Sequence, residues 1–354
     1  MSQEKPPYPW PPGSATGVGS MPGTDPAEAV AVVLGELPDF PYLPELPGRG
    51  PGADLTGRTA ALLVGLAVDT TTGGWRFAAR PGRDLRHAAG LLQRDLDALE
   101  QAADGCDTVL KVQVCGPWTM AATIELSRSQ NPALHDPGAV ADLTQSLAEG
   151  VAAHVAEVRR RVPGATVLLQ LDEPALPAAL AGRVPTASGL NRIAAVDAAV
   201  TTAALRTVLT AAKAFAIVHC CAPDIPFKII RDCGAGAVGF DLGLLRRETE
   251  DGLAETAEAG LGILAGAAKT TDPATTQEPE RGNRASSPAP RETAAEVIAL
   301  WRRMGLPASK LADQVVVTPS CGLAGSSPAG ARAVLARCRE AAMIMPELIE
   351  EGRR

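Results

Sequence analysis

Short segments that are rich in β-branched residues or continuously apolar recur along this chain, and most are followed by a segment with helical periodicity. Six of them are rich in aliphatic or β-branched residues: 108–114, 167–171, 216–219, 237–240, 261–264 and 315–318. An uninterrupted apolar strand is buried on both faces, as in a parallel sheet covered by helices. The alternation therefore predicts an α/β fold built on a parallel sheet.

Two weaker strand candidates precede these six, at residues 16–20 and 40–43, and the second has the weaker pattern. Eight strands alternating with helices over about 330 residues favour a single (β/α)8 TIM barrel rather than a doubly wound sheet. We expect one barrel domain over residues 15–350, preceded by a flexible N-terminus over residues 1–14. Alternating residues around Gly73 and Gly74 predict a small β-hairpin insertion over residues 69–79.

Helix signals accompany the strands. Asp25 is expected to cap a helix that runs to Leu37, and residues 84–103 are also expected to be helical. Residues 139–161 carry an apolar stripe at helical spacing, formed by Leu143, Leu147, Val151, Val155 and Val158. Residues 272–291 are polar and rich in proline, and predict a long loop after the seventh strand.

The composition excludes several classes of partner. The net charge is −7, the isoelectric point is near 5.3, and only 3% of the residues are aromatic. Nucleic-acid binding is unexpected, because it uses basic patches and aromatic stacking platforms. We also expect no membrane contact and a cytoplasmic location, since no long apolar run occurs and residues 1–12 do not resemble a signal peptide.

Cysteine and histidine are more informative. The seven cysteines are an odd number spread over a long chain, which is not the pattern of a disulfide framework. Only four histidines are present, and one of them, His219, directly precedes Cys220 and Cys221. This local group of metal-binding residue types therefore stands out.

Polar residues also follow the predicted strands at their carboxyl ends, where barrel enzymes place their active sites. These strand ends carry Gly19, Ser20, Cys115, Asp172, Glu173, His219, Cys221, Asp241, Lys269 and Cys321. Residues two apart on a strand project to the same side, so His219 and Cys221 can share one ion. Thiolate and imidazole are ligands that zinc prefers.

Two interpretations of the His219 and Cys221 pair remain. They form part of a zinc site, or they are a packed thiol beside a hydrogen-bonded core histidine. Asp241 and Cys321, at the ends of other predicted strands, favour the metal site.

Four motifs occur in an order that resembles a known family. They are GVGSMP at residues 17–22, QLDEPAL at 170–176, HCC at 219–221 and PSCGL at 319–323. With these motifs the chain resembles the C-terminal catalytic barrel of cobalamin-independent methionine synthase over roughly residues 15–345. That family belongs to a wider group that shares a barrel with uroporphyrinogen decarboxylase and zinc-dependent thiol methyltransferases.

The resemblance implies a Zn²⁺ site and an amino-acid site. The implied zinc ligands are His219, Cys221 and Cys321, with Asp241 at the place where the family has a glutamate. The implied substrate-binding residues are Gly19, Ser20, Met21, Asp172 and Glu173, and Asp172 corresponds to the aspartate that binds the substrate amino group. Glu45 is a secondary candidate near this pocket, but it lies in a proline-rich stretch and a structural role is favoured for it.

Two departures from the family fall on the methyl donor's side. Thr123 replaces the tryptophan that stacks on folate, and Trp118 can substitute only if the loop turns differently. Thr271 replaces the proton-donor histidine. The donor is therefore expected to be either methyltetrahydrofolate or a methyl-corrinoid protein.

The resemblance thus implies a zinc-dependent S-methyltransferase that converts homocysteine to methionine. A thiol bound to zinc is deprotonated, which prepares it to attack a methyl group. One alternative is a lyase like uroporphyrinogen decarboxylase, which would need a basic cleft, and no arginine-rich N-terminal cluster is evident. A second alternative is a noncatalytic zinc-binding barrel with four protein ligands and no open position.

Overall fold

A six-stranded parallel sheet forms the centre of the computed structural model, which describes residues 7–270 and 289–351. The strands of this sheet neighbour one another in chain order: β3 (Val109–Cys115), β4 (Thr166–Asp172), β5 (Phe215–Cys220), β6 (Ala237–Asp241), β7 (Gly262–Ala268) and β8 (Val315–Pro319). All six correspond to the continuous apolar segments of the sequence. The expected hairpin is also present, with β1 (Ala67–Thr71) paired antiparallel to β2 (Gly74–Ala78).

Helices precede, connect and follow the strands of the sheet. They are α1 (Pro26–Glu36), α2 (Leu55–Ala60), α3 (Arg83–Ala102), α4 (Pro117–Thr123), α5 (Pro137–Arg161), α6 (Leu176–Leu180), α7 (Ala198–Ala212), α8 (Phe227–Asp232), α9 (Arg247–Glu258), α10 (Pro290–Arg303), α11 (Ala308–Gln314) and α12 (Pro328–Glu351). Within the described ranges, no helix is long and apolar enough to cross a membrane. Most of the predicted loop at 272–291 lies outside the described residues, and its last two residues begin α10.

The local sequence explains where these helices begin and which face they bury. Asp25 caps α1 as expected, because its Oδ1 accepts hydrogen bonds from the backbone of Ala27 and Glu28. On α5, all five residues of the predicted apolar stripe are fully buried. The stripe therefore packs against the rest of the protein, as its spacing predicts.

The two N-terminal strand predictions are not confirmed as strands. Residues 16–20 and 40–43 instead belong to segments that make single parallel bridges, Ala15 with Val317 of β8 and Tyr42 with Lys111 of β3. In the second segment the prolines at positions 41 and 44 have no N–H to donate to a ladder. In the first, a side chain at Gly17 would lie 2.2 Å from the Tyr42 ring, so close packing requires glycine there.

Residues 7–14 pack more tightly than the expectation of a flexible N-terminus suggests. Tyr8 and Trp10 are buried, and the rings of Tyr8, Trp10 and Phe40 form successive stacked pairs. The Trp10 indole N–H donates to the backbone carbonyl of Asp313. Removing large aromatic surfaces from water stabilises the folded protein, which explains why this segment is held in place.

The sheet separates two apolar clusters. The larger cluster joins the sheet to the helices, and the smaller one packs against Tyr8, Trp10 and Phe40. Its strand residues lie at or near the strands' amino ends: Val109, Leu168, Ile217, Ala237, Leu264 and Val316. Further along the same face, at alternate positions, come Lys111, Gln170, Asp172 and His219. This face is therefore apolar at the amino ends and polar towards the carboxyl ends of the strands.

Candidate metal and substrate site

A cavity of about 260 Å³ lies where this polar face ends. It is lined by Val18, Gly19, Ser20, Glu45, Pro47, Leu55, Asp172, Pro174, His219, Cys221, Cys321 and Gly322. Most of the residues predicted from the motifs therefore meet at one place. Its lining combines apolar residues with carboxylates, thiols and an imidazole, which suits a small ligand with a polar end.

Asp172 and His219 are paired residues on the neighbouring strands β4 and β5, so their side chains lie side by side. The Oδ1 of Asp172 is 2.7 Å from the Nδ1 of His219, and both side chains are buried. A hydrogen bond from Nδ1–H to this carboxylate leaves the lone pair of Nε2 free. The Nε2 atom is buried and has no hydrogen-bond partner in the described part of the chain. It is therefore available to a ligand.

The two predicted cysteine ligands also come together. Cys221 directly follows β5, Cys321 lies two residues after β8, and their sulfur atoms are 3.9 Å apart. Two sulfurs at about 2.3 Å from a tetrahedral zinc ion would be about 3.8 Å apart, so the spacing fits. The contact between the sulfurs lowers the pKa of the Cys321 thiol and raises the pKa of the Cys221 thiol.

Asp241 ends β6, but its carboxylate does not line the cavity. It accepts a hydrogen bond from the backbone N–H of Gly243 at 2.8 Å and caps a short 3-10 helix (Leu242–Leu244). Burial raises the pKa of Asp241, and the nearby His219 acts in the opposite direction. Over residues 7–270 and 289–351, no three metal-binding side chains are grouped closely enough to hold an ion. The ligand role of Asp241 therefore remains a prediction and requires its side chain to turn.

Glu45 contributes a second carboxylate to the cavity, where the sequence favoured a structural role. It is 5% exposed, and its Oε1 lacks a hydrogen-bond partner among the described residues. Burial raises the pKa of Glu45 to about 7, although Arg58, 3.9 Å away, acts in the opposite direction. Together with Asp172, this carboxylate makes one end of the cavity suited to a cation.

Glu173 does not line the cavity. Its carboxylate accepts hydrogen bonds from the backbone N–H groups of Trp118 and Thr119, at 3.0 and 2.8 Å, and from the Thr119 hydroxyl at 2.7 Å. These groups belong to the first turn of α4, whose N–H groups have no partner within the helix. Glu173 therefore anchors α4 beside the cavity, whereas the motif predicted contact with substrate.

Replacing Glu173 by glutamine is expected to lower the free energy of unfolding by about 1–3 kcal/mol. The amide has one acceptor oxygen, so its NH₂ group would face one of the α4 donors. Urea denaturation followed by circular dichroism measures the change, with Glu340→Gln, at an exposed position of α12, as the matched control. A Glu173→Gln protein of normal stability that fails to bind an amino acid would instead support the substrate role.

Three other residues singled out by the motifs lie away from the cavity. Met21 is buried, and its backbone N–H donates to the carbonyl of Glu45 at 2.8 Å. The Trp118 ring is also buried, with its N–H donating to the carbonyl of Thr201. Thr123 contacts the Thr56 hydroxyl at 3.2 Å. Trp118 does not face the His219 cavity, and Thr271 lies outside the described residues.

The fold and this cavity define a class of protein. Its catalytic or binding groups project from the carboxyl ends of parallel strands, as in α/β barrel enzymes. The chain belongs to the cobalamin-independent synthase family, because the profile of that family's catalytic domain matches residues 14–343. No curated protein sequence matches the chain significantly.

One solved structure supports the same fold. A B12-independent methionine synthase from Shewanella sp. W3-18-1, in complex with selenomethionine, aligns with a TM-score of 0.62 and 13% identity, over 96% of this chain and 99% of that chain. Tryptophan synthase from Pyrococcus furiosus aligns with a TM-score of 0.38 and 13% identity, over 97% and 98% of the two chains. The family supports a function of the methionine synthase type, and the first neighbour supports the fold.

Proposed function

We propose that this protein transfers a methyl group to the thiol of homocysteine and so forms methionine. The observation that carries the proposal is one cavity that combines an unpaired imidazole nitrogen, two close thiols and two carboxylates. A thiol-activating group and an ammonium-binding group are thus a few ångströms apart, as an amino-acid thiol requires.

The residue types present suit a zinc ion, and their side chains would have to move closer together to hold it. His219 would contribute Nε2, and Cys221 and Cys321 their sulfurs, with the spacing described above. Asp241 is proposed as a fourth group that would leave the cap that it now forms, and it would give up its position on the ion to the incoming thiol. Zinc bound there would supply Lewis acidity that keeps an incoming thiol deprotonated near neutral pH.

The chain's own residues position the substrate. Asp172 and Glu45 would receive the ammonium group, because they are the two carboxylates in the cavity wall. The backbone of Gly19 and Ser20 would lie beside the substrate carboxylate. Pro47, Leu55 and Pro174 form the apolar wall and would exclude water from the carbon chain.

We also propose that the sheet closes into a barrel through the N-terminal segments. Single parallel bridges join Val317 of β8 to Ala15, Ser20 to Glu45, and Tyr42 to Lys111 of β3. This path runs from one edge strand of the sheet to the other, which supports a closed eight-membered arrangement.

The other two functions have less support. A decarboxylase of a polycarboxylate substrate would need basic side chains in the cavity, and the described lining residues include no arginine or lysine. A noncatalytic zinc site would have no use for the buried Glu45 carboxylate in the cavity wall.

The deciding experiment supplies zinc-loaded protein and homocysteine with methyltetrahydrofolate or a methyl-corrinoid protein in parallel. We expect methionine to form with one of the two donors. Zinc X-ray absorption should show an additional sulfur neighbour when homocysteine is added. Full zinc occupancy with no added sulfur and no methionine from either donor would contradict the proposal and favour a noncatalytic site.

A further inference from the structure

Lys111 is a buried cation that does not line the cavity. It lies on β3, and its side chain is fully buried. The ammonium group donates to the carbonyl of Val18 at 2.9 Å and lies 3.5 Å from the Oε1 of Gln113. It is also 5.1 Å from the centre of the Tyr42 ring. An ammonium group buried in this way requires compensation by nearby acceptors and negative charge.

The Val18 carbonyl is a point of attachment for the substrate segment. It also accepts a hydrogen bond from the Nε2 of Gln170 at 2.9 Å, and the same amide group donates to Asp172 at 2.7 Å. The segment around Val18 has single bridges instead of a regular ladder. Side chains from β3 and β4 therefore provide hydrogen bonds that help to fix Gly19 and Ser20.

Lys111 also supplies positive charge next to the carboxylates of the cavity. Burial lowers the pKa of Lys111 to about 8, whereas Asp172 and Glu45 act in the opposite direction. The charged groups that act on Glu45 are Arg58 from α2, Lys111 from β3 and Asp172 from β4. Without the lysine, Arg58 would be the one cation in this set, opposite two carboxylates.

We propose that Lys111 is a positioning residue for the amino-acid half of the cavity. It holds the Val18 carbonyl, which precedes the Gly19 and Ser20 wall, and it balances the charge of the Glu45 carboxylate. The inference rests on the proposed function, because it assigns the carboxylate end of the cavity to an ammonium group.

The test is Lys111→Met, which keeps much of the side-chain volume and removes the charge. L-methionine is the probe, since it carries the ammonium and carboxylate groups but no thiol that titrates. We expect its affinity for zinc-loaded protein, measured by calorimetry at pH 7, to fall roughly 10- to 100-fold. Zinc content should be unchanged, and in turnover the KM for homocysteine should rise far more than kcat falls.

Methionine affinity measured at two pH values distinguishes the effect of the Lys111 charge from a purely structural role. Loss of the nearby cation raises the pKa of Glu45, so the affinity lost at pH 7 should be partly recovered by pH 8.5. Gln170→Met removes the other side-chain donor to Val18 without changing the charge. The affinity for methionine that this variant loses should be the same at both pH values. Lys228→Met, on the exposed face of α8, is the control and should behave as wild type.

Each outcome supports or contradicts a specific claim. Wild-type affinity in Lys111→Met, or a loss that is equal at both pH values, would overturn the proposed role of Lys111. Wild-type protein that binds no methionine at either pH would overturn the proposed function instead. If Lys111→Met does not fold, Lys111→Gln keeps a donor for Val18, lacks the charge, and should show the same recovery at pH 8.5.

Discussion

Cys221→Ala should lose bound zinc, and its rate of methionine formation should fall on the order of 10³-fold or more. Cys221 and Cys321 hold their sulfurs 3.9 Å apart, which suits two ligands of one tetrahedral ion. Removing one thiolate leaves the ion with too few strong ligands. The ion is then lost from the site, and methyl transfer is lost with it. Metal analysis of the purified protein and an assay with the active donor measure the two losses.

The neighbouring thiol provides a matched control. Cys220 is the last residue of β5 and is fully buried in the larger apolar cluster, on the side of the sheet that faces the helices. Cys220→Ala removes a thiol one position away and should keep both zinc and activity, at a small cost in stability. Equal zinc content in Cys221→Ala and wild type would show that the metal, if bound, lies elsewhere.

The sheet could be predicted from the sequence because burial on both faces leaves a direct pattern. Each of the six strands is a short, mostly apolar segment, and such a segment can be recognised without knowledge of its distant contacts. The N-terminal segments carry no such pattern. Their place is set by single bridges to β8 and β3 and by the contact of Gly17 with Tyr42, which local sequence does not reveal.

The candidate site was predictable where strand ends carry the chemistry. Asp172 and His219 follow from that rule, and the strand register explains why they meet. Glu173 shows the limit of this rule. Consecutive residues at a strand end project to opposite sides, so Asp172 faces the cavity and Glu173 does not.

From the sequence, Glu45 was only a secondary candidate and Lys111 was not singled out, for different reasons. Glu45 reaches the cavity through a bridge between two irregular segments, and no local pattern predicts that bridge. Lys111 did carry a signal, because a charged residue in the middle of an apolar strand must find compensation inside the protein.

Asp172→Asn should reduce the catalytic efficiency with homocysteine on the order of 10³-fold, because two functions depend on this carboxylate. Its Oδ1 accepts hydrogen bonds from both His219 and Gln170, each at 2.7 Å. The asparagine amide can keep one acceptor near His219, but it carries no charge for the ammonium group. Zinc affinity should therefore fall roughly 10- to 100-fold, and methionine binding should fall as well.

Glu45→Gln separates these two functions, because Glu45 lines the cavity but makes no hydrogen bond to His219. It should weaken the binding of methionine and leave zinc affinity unchanged. If Asp172→Asn lowered only methionine binding, the hydrogen bond to His219 would have no part in holding the metal. If it lowered only zinc affinity, the ammonium group would be bound by Glu45 alone. We expect Asp172→Asn to lose both zinc affinity and methionine binding, and Glu45→Gln to lose methionine binding alone. That result would show that Asp172 serves the metal site and the amino-acid site together.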